Sequence, residues 1–239
     1  MRKFLFIIAV CVMIFSGFML AKDLYGYYEG QKTYEISQKA VSENTEKEDK
    51  KPSINVDFDT LKAENSDVLA WIYCKGTPVN YPVVQGDDNS RYLSQMYNLE
   101  WNGCGSIFVD YRCENPFRDF NTIVYGHRMK DKSMFGTFGE YRSQEYFDKH
   151  RTMELITPET FYKIKLFAVV TIPEDSDMYK MSFDSDSEKE AYLEQIASLN
   201  EVKSKVKVTS KDEIVMLSTC TFEYEGARLV VYGKLVEGK

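Results

Sequence analysis

Histidine is almost missing from this chain: only His127 and His150 occur in 239 residues. No C-x-x-C or H-x-x-x-H pair is present either, so the ligand spacings of a structural zinc site are excluded. Basic residues are outnumbered, with 30 Lys and Arg against 37 Asp and Glu, for a net charge of −7. No compact Lys/Arg run offsets that balance, which argues against a nucleic-acid partner, because phosphate binding needs a basic footprint. Internal repeats and low-complexity tracts are absent, so a repeat array is not the architecture.

Long apolar runs are also lacking, with one exception. Met1-Arg2-Lys3 leads into an uncharged stretch from Phe4 to Ala21. At about 1.5 Å per residue such a run nearly crosses a bilayer core of roughly 30 Å. The positive charge lies ahead of it, so the N-terminus is expected to stay cytoplasmic and the remainder to be extracytoplasmic. Cleavage after Ala21 would put Met19 where a signal peptidase wants a small residue. Residues 1–21 are therefore read as an uncleaved, single-pass anchor in the cell membrane.

What is plentiful is apolar and aromatic: 44% hydrophobic and 14% aromatic residues, including 17 Tyr and 15 Phe. That suffices for a sizeable core and leans toward strands. Cys11 lies in the anchor, leaving Cys74, Cys104, Cys113 and Cys220 outside. Four cysteines in an exported domain can form disulfides, but their spacings are irregular and a domain of this size does not need staples. Their pairing stays open.

Residues 22–54 read as an extracytoplasmic stalk: first a helix running to about Ile36, then a charged, solvated linker from Ser42 to Pro52. The folded domain, residues 55–239, opens with a short helix over Asp57–Ala63. Eight short apolar runs follow, separated by Gly, Asn, Asp and Pro: Val68–Tyr73, Tyr81–Val84, Ser106–Val109, Thr122–Tyr125, Met153–Ile156, Phe161–Thr171, Glu213–Leu217 and Arg228–Tyr232. They predict a mainly β domain, a closed or nearly closed barrel with added helices. Helices are expected at Met134–Tyr141 and Ser185–Leu199, the latter with Ala191, Leu193, Ile196 and Leu199 on its apolar stripe.

Leu217-Ser218-Thr219-Cys220 ends an apolar strand and meets a polar loop, a place where rigid backbone can present a thiol. A buried structural cysteine is the ordinary alternative. A thiol nucleophile works as thiolate and needs a base or cationic partner. His150 sits among charges in Asp148-Lys149-His150-Arg151 and reads as a solvated surface residue. His127 ends the run Thr122–Gly126, a setting like that of Cys220. Arg228 opens the last strand; if that strand pairs with the one before Cys220, its guanidinium lies beside the thiol and can hold an oxyanion. A surface pair with Glu223 or Glu225 is the alternative.

Together with Tyr125-Gly126-His127 and Arg228, the Leu217–Cys220 run resembles the signature of sortases. The stretches Asn65–Ile72, Asn80–Gln85, Asp88-Asn89 through Tyr92-Leu93, Gly105–Arg112 and Asn121–His127 resemble the class B members, in the same order, over roughly Asn55 to Val236. The resemblance implies an eight-stranded sortase-type β-barrel with an N-terminal helix and a long helix between its sixth and seventh strands. It implies a thiol transpeptidase of Gram-positive bacteria, with Cys220, His127 and Arg228 catalytic. Cys220 would attack the carbonyl after Thr in the C-terminal sorting motif of a secreted protein, forming a thioester. An amine of the peptidoglycan cross-bridge, or of its lipid-linked precursor, would resolve it and anchor the protein in the cell wall. Ser218, Thr219, Leu93, Tyr92 and Tyr179 are the expected substrate-binding residues. No acidic cluster matches the calcium site of class A sortases, so neither a metal nor another cofactor is implied. A binding module with a degenerate site is the competing class; the complete Cys220, His127 and Arg228 set argues against it.

Overall fold

The structure is a computed structural model and describes residues 1–44 and 51–238. The N-terminal run begins one long helix, α1 (Arg2–Ser37). An 18-residue window within it has a mean hydropathy of 2.7 and no buried residue, so by length and composition it can cross a membrane. The helix does not become a free stalk. Its last turns carry Gly30, Thr33, Tyr34 and Ser37 as buried residues, with the Tyr34 ring edge-on to Tyr81 at 5.2 Å. A single 3-10 turn (Gln38–Ala40) leads to β1 (Val41–Glu43), which pairs antiparallel with β2 (Ile54–Val56). The start of the expected linker is thus ordered; its centre, residues 45–50, lies outside the described residues.

Helix α2 (Phe58–Glu64) starts where Asp57 accepts a hydrogen bond from the Thr60 backbone N–H, and it buries Leu61. Eight strands then close a barrel: β3 (Val68–Tyr73), β4 (Asn80–Val84), β5 (Ile107–Val109), β6 (Asn121–Tyr125), β7 (Thr152–Ile156), β8 (Phe161–Pro173), β9 (Ile214–Cys220) and β10 (Ala227–Glu237). Around the barrel the order is β10-β8-β7-β3-β4-β5-β6-β9. The pairs β4–β5 and β6–β9 are parallel and the rest antiparallel. Closure removes the open edges that a sheet otherwise has to protect.

The helical expectations need two corrections. Met134–Tyr141 is not an α-helix: Met134 has φ +52, a 3-10 segment spans Phe138–Arg142, and the α-helix α3 (Gln144–Lys149) follows, capped by Ser143. Helix α4 (Asp186–Leu199) does lie between the sixth and seventh barrel strands. Its buried residues are Tyr192 and Ile196, however, and Leu199 is exposed. The stripe shifts because the Tyr192 hydroxyl reaches inward to the Met178 carbonyl at 2.8 Å, with the Tyr232 hydroxyl at 3.0 Å.

The first four residues of β9, Ile214–Leu217, are all apolar because both faces of the strand are covered there. Val215 and Leu217 join the barrel interior with Leu229 and Val231. Ile214 and Met216 lie outside it with Val230, Tyr232 and the α4 residues Tyr192 and Ile196. Ser218 and Cys220 continue that outer register past the end of the α4 cover. Folding also gathers basic residues that the sequence scatters: Arg151, Lys165, Lys203, Lys205, Lys207 and Lys234 line one groove on the β7–β8–β10 side. The linear reading missed this patch.

Candidate active site

The turn after β9 returns the chain so that Cys220 and Arg228 face each other across the β9–β10 ladder. Gly226, at φ +75, makes the reversal possible. On the other side of β9, Ser218 is the parallel partner of Tyr125, and the Gly126 N–H donates to the Ser218 carbonyl at 3.1 Å. His127 follows immediately. Register alone thus brings a strand-end thiol, a strand-start guanidinium and a strand-end imidazole to the rim of one cleft of about 540 Å³. All three side chains are half-buried, so each is held on one side and accessible on the other.

His127 is fixed by an unexpected partner. Its Nε2 lies 2.7 Å from the Leu93 carbonyl oxygen. A carbonyl can only accept, so Nε2 carries the proton and Nδ1 is the nitrogen left to exchange one. Arg228 donates to the Ala227 carbonyl at 3.2 Å and pairs with Glu174. Neither Glu223 nor Glu225 takes that place. Glu174 sits just past β8, where its N–H donates to the Gly226 carbonyl at 2.9 Å. Glu223 instead pairs with Arg142, whose hydrogen bond is the main cause holding its carboxyl pKa down to about 2. Arg142 also meets Glu201 at 3.0 Å and donates to the Thr171 hydroxyl at 2.6 Å, so it ties down the loop that follows Cys220.

The Ser218 hydroxyl is 2.8 Å from that of Tyr179. The Tyr179 ring stacks on Tyr125 at 6.1 Å, and the Tyr125 hydroxyl donates to Asp110 at 2.9 Å. Asp110 is fully buried, and Arg112 grips it with two hydrogen bonds of 2.9 and 2.8 Å. Of this wall, Ser218 and Tyr179 are expected groove residues, whereas Asp110 and Tyr125, with Arg112, Asn89 and Glu174 on the cleft lining, were not assigned from sequence. Its residues, Glu174 and Tyr179 apart, stand in the quoted stretches, but nothing in their spacing shows that they share a wall.

A family model described as a sortase domain matches residues 72–236. The chain belongs to the sortase family. It is 33% identical to the sortase B of Listeria monocytogenes over 98% of this chain and 96% of that one. A Bacillus anthracis structure described as similar to sortase B superimposes with a TM-score of 0.78 at 35% identity, covering 89% of this chain and 98% of that one. A Staphylococcus aureus sortase B–substrate complex gives a TM-score of 0.72 at 33% identity, covering 76% of this chain and 85% of that one. The eight-stranded barrel and the class B assignment are therefore shown, and with them a cysteine transpeptidase.

Within this sortase the expected groove residues divide. Leu93, Tyr179 and Ser218 border the cleft with Cys220, His127 and Arg228. Thr219 borders it too, but its side chain is 3% exposed, because strand alternation turns it away from the Ser218–Cys220 face. Tyr92 is not a groove residue. It is fully buried, and its hydroxyl accepts from Asn65 at 2.8 Å and donates to Asp67 at 2.7 Å. Its part is to anchor the 3-10 turn (Arg91–Leu93) that offers the Leu93 carbonyl to His127. His150 is buried rather than solvated, with Nδ1 3.2 Å from the Lys75 carbonyl and its ring 4.5 Å from Tyr146. All five cysteines are free. Cys74, Cys104 and Cys113 are buried, and burial pushes the thiols of Cys104 and Cys113 up to about 11. Cys220 is the thiol that reaches the cleft.

Proposed function

We propose that this sortase anchors secreted proteins to the cell wall, with Cys220 as nucleophile, His127 as proton carrier and Arg228 as the oxyanion partner. The Cys220 thiolate attacks the carbonyl carbon after Thr in a C-terminal sorting motif. The Arg228 guanidinium donates to the oxygen that gains charge. His127 protonates the departing amine as the C–N bond breaks, leaving a thioester. An incoming amine then attacks the thioester, His127 takes its proton, and the thiolate is regenerated as the new amide forms. Ser218, Tyr179 and Leu93 contact the peptide. The observation that carries this reading is the cross-strand pairing of Cys220 with Arg228 at the cleft that His127 also lines.

The acceptor is an amine of the peptidoglycan cross-bridge or of its lipid-linked precursor. A solved sortase B structure in complex with triglycine supports an acceptor of that chemistry. The apolar part of α1 spans the cell membrane once, with Arg2 and Lys3 on the cytoplasmic side and the barrel outside. A direct test incubates the full chain in detergent micelles with a panel of Thr-containing sorting peptides and reads intact mass. The expected result is an acyl adduct on the wild type, none on Cys220→Ala, and conversion to an amide when triglycine is added. A Cys220 that forms no adduct and also resists iodoacetamide would overturn the assignment.

A further inference from the structure

The end of α1 is docked on the barrel by more polar contacts than a tether requires. Asn102 donates to the Gly26 carbonyl at 3.0 Å. At Gly30 the helix backbone comes so close that an added Cβ would sit 2.8 Å from the Cys104 Sγ. One turn on, the Tyr34 hydroxyl donates to the Gly105 carbonyl at 2.6 Å, and its ring is held between Tyr81 and Tyr97 at 5.2 and 5.9 Å.

Gly105 is where this contact meets the catalytic cleft. It lies at φ +55, and a Cβ there would fall 2.5 Å from the Tyr92 carbonyl oxygen and 2.7 Å from that of Leu93. The Gly105 backbone is therefore packed directly on the carbonyl that holds His127 Nε2 at 2.7 Å. The next residue strengthens the seam, since the Ser106 N–H donates to the Tyr92 carbonyl at 2.9 Å. Apart from one isolated bridge between Gln95 and Trp101, no strand among the described residues holds the chain between the turn at Arg91–Leu93 and β5. The hydrogen bonds within it are turn contacts, among them the Met96 N–H to the Glu100 carbonyl and the Asn102 N–H to the Ser94 carbonyl, both 2.9 Å, and the Tyr34 contact adds a fixed point at its far end.

We infer that Tyr34 is a positioning residue for His127, so that the docked end of the N-terminal helix forms part of the active-site framework. The path runs from the Tyr34 hydroxyl through the Gly105 backbone and the Leu93 carbonyl to the imidazole. The Leu93 carbonyl is the contact that fixes Nε2 and so the orientation of the ring. Loosening that carbonyl lets the ring drift. The inference rests on the proposed role of His127 for its effect on turnover, but not for its effect on ring position.

The test uses the full chain in micelles with labelled histidine, and NMR follows the ring resonances of both histidines at one fixed pH. His150 serves as the internal reference. Tyr34→Phe keeps the ring packing and deletes the hydroxyl. The expected result is displaced His127 ring resonances, unmoved His150 resonances, and a loss of about 3- to 10-fold in kcat/KM with KM nearly constant. Gly30→Ala, which pushes the helix outward against Cys104, should displace the His127 resonances as well. Tyr141→Phe also deletes a buried hydroxyl that donates to a carbonyl, that of His150 at 3.2 Å, and should leave the His127 resonances and kcat/KM unchanged. Two results would overturn the inference: unchanged His127 resonances in both Tyr34→Phe and Gly30→Ala, or an equal displacement in Tyr141→Phe. Should His127→Ala keep full transpeptidation, the catalytic role given above falls, while the ring resonances still decide the positioning claim.

Discussion

Gly126 stands between β6 and His127, and replacing it with alanine is a sharp perturbation of the site. Gly126 is not among the residues with positive φ, so alanine meets no backbone penalty and the cost is steric. An added Cβ would lie 2.5 Å from the Ile107 Cδ1 and 2.6 Å from the Phe135 Cδ2. Ordinary carbon contacts are about 3.5–4.0 Å, so the overlap is about 1 Å on two sides. Both neighbours are fully buried and cannot swing into solvent. Overpacking of this kind costs about 1–3 kcal/mol. Any relief by moving the strand end carries His127 with it, and a misplacement of about 1 Å can cost about 100-fold in turnover. Urea unfolding and steady-state peptide cleavage measure the two effects. Ile107→Val removes the methyl that clashes most and alone should cost about 0.5–1.5 kcal/mol. Added to Gly126→Ala, it should recover part of both losses, a coupling of about 1 kcal/mol. If Gly126→Ala unfolds within about 0.5 kcal/mol of wild type with full activity, the close packing behind His127 is not what positions it.

Two further outcomes follow from the cleft. Arg228→Lys replaces a planar fork, which holds Glu174 and the Ala227 carbonyl, with a single ammonium. Turnover should fall about 100- to 1,000-fold with little change in thermal stability; activity within about threefold of wild type would remove Arg228 from oxyanion stabilisation. Burial pushes the Asp110 carboxyl pKa up, but hydrogen bonds from the side chain and N–H of Arg112 and from Tyr125 outweigh it, and the net direction is down. A depressed folded pKa gives stability that is full above the unfolded value of about 3.9 and is lost as pH falls through the folded one. Stability measured by urea unfolding from pH 6 downward should therefore decline below about pH 4 in the wild type and decline less in Asp110→Asn; parallel curves would contradict it.

Where a sequence pattern offers few physical readings, the structure takes one of them. Of the two readings open for Arg228, a place beside Cys220 across a hairpin or a surface pair with Glu223 or Glu225, the ladder shows the first. The run at Phe4–Ala21 could only be one long apolar helix. Legibility failed where identical residue types take different environments. Tyr92 and Tyr179 look alike in sequence, yet one anchors a turn and the other lines the cleft. Glu174 is one acid among 37 Asp and Glu, and only the return of β10 beside the end of β8 places it on Arg228. The docking of α1 was hidden because Gly30, Thr33, Tyr34 and Ser37 form a weakly apolar face, with none of the periodic leucines that announce a packed helix.

The parallel β6–β9 pairing has a consequence for timing. Cys220 and Arg228 belong to one hairpin and can meet early, because the loop between them is short. His127 joins them only after the chain has passed through β7, β8 and α4 and returned to lie beside β6. Pairings across long connections form slowly, because loop entropy is lost before contacts compensate for it. Until β9 lies beside β6, a newly made chain holds the Cys220 thiol apart from the His127 imidazole. On the roles proposed above for Cys220, His127 and Arg228, acylating power arrives only with that pairing.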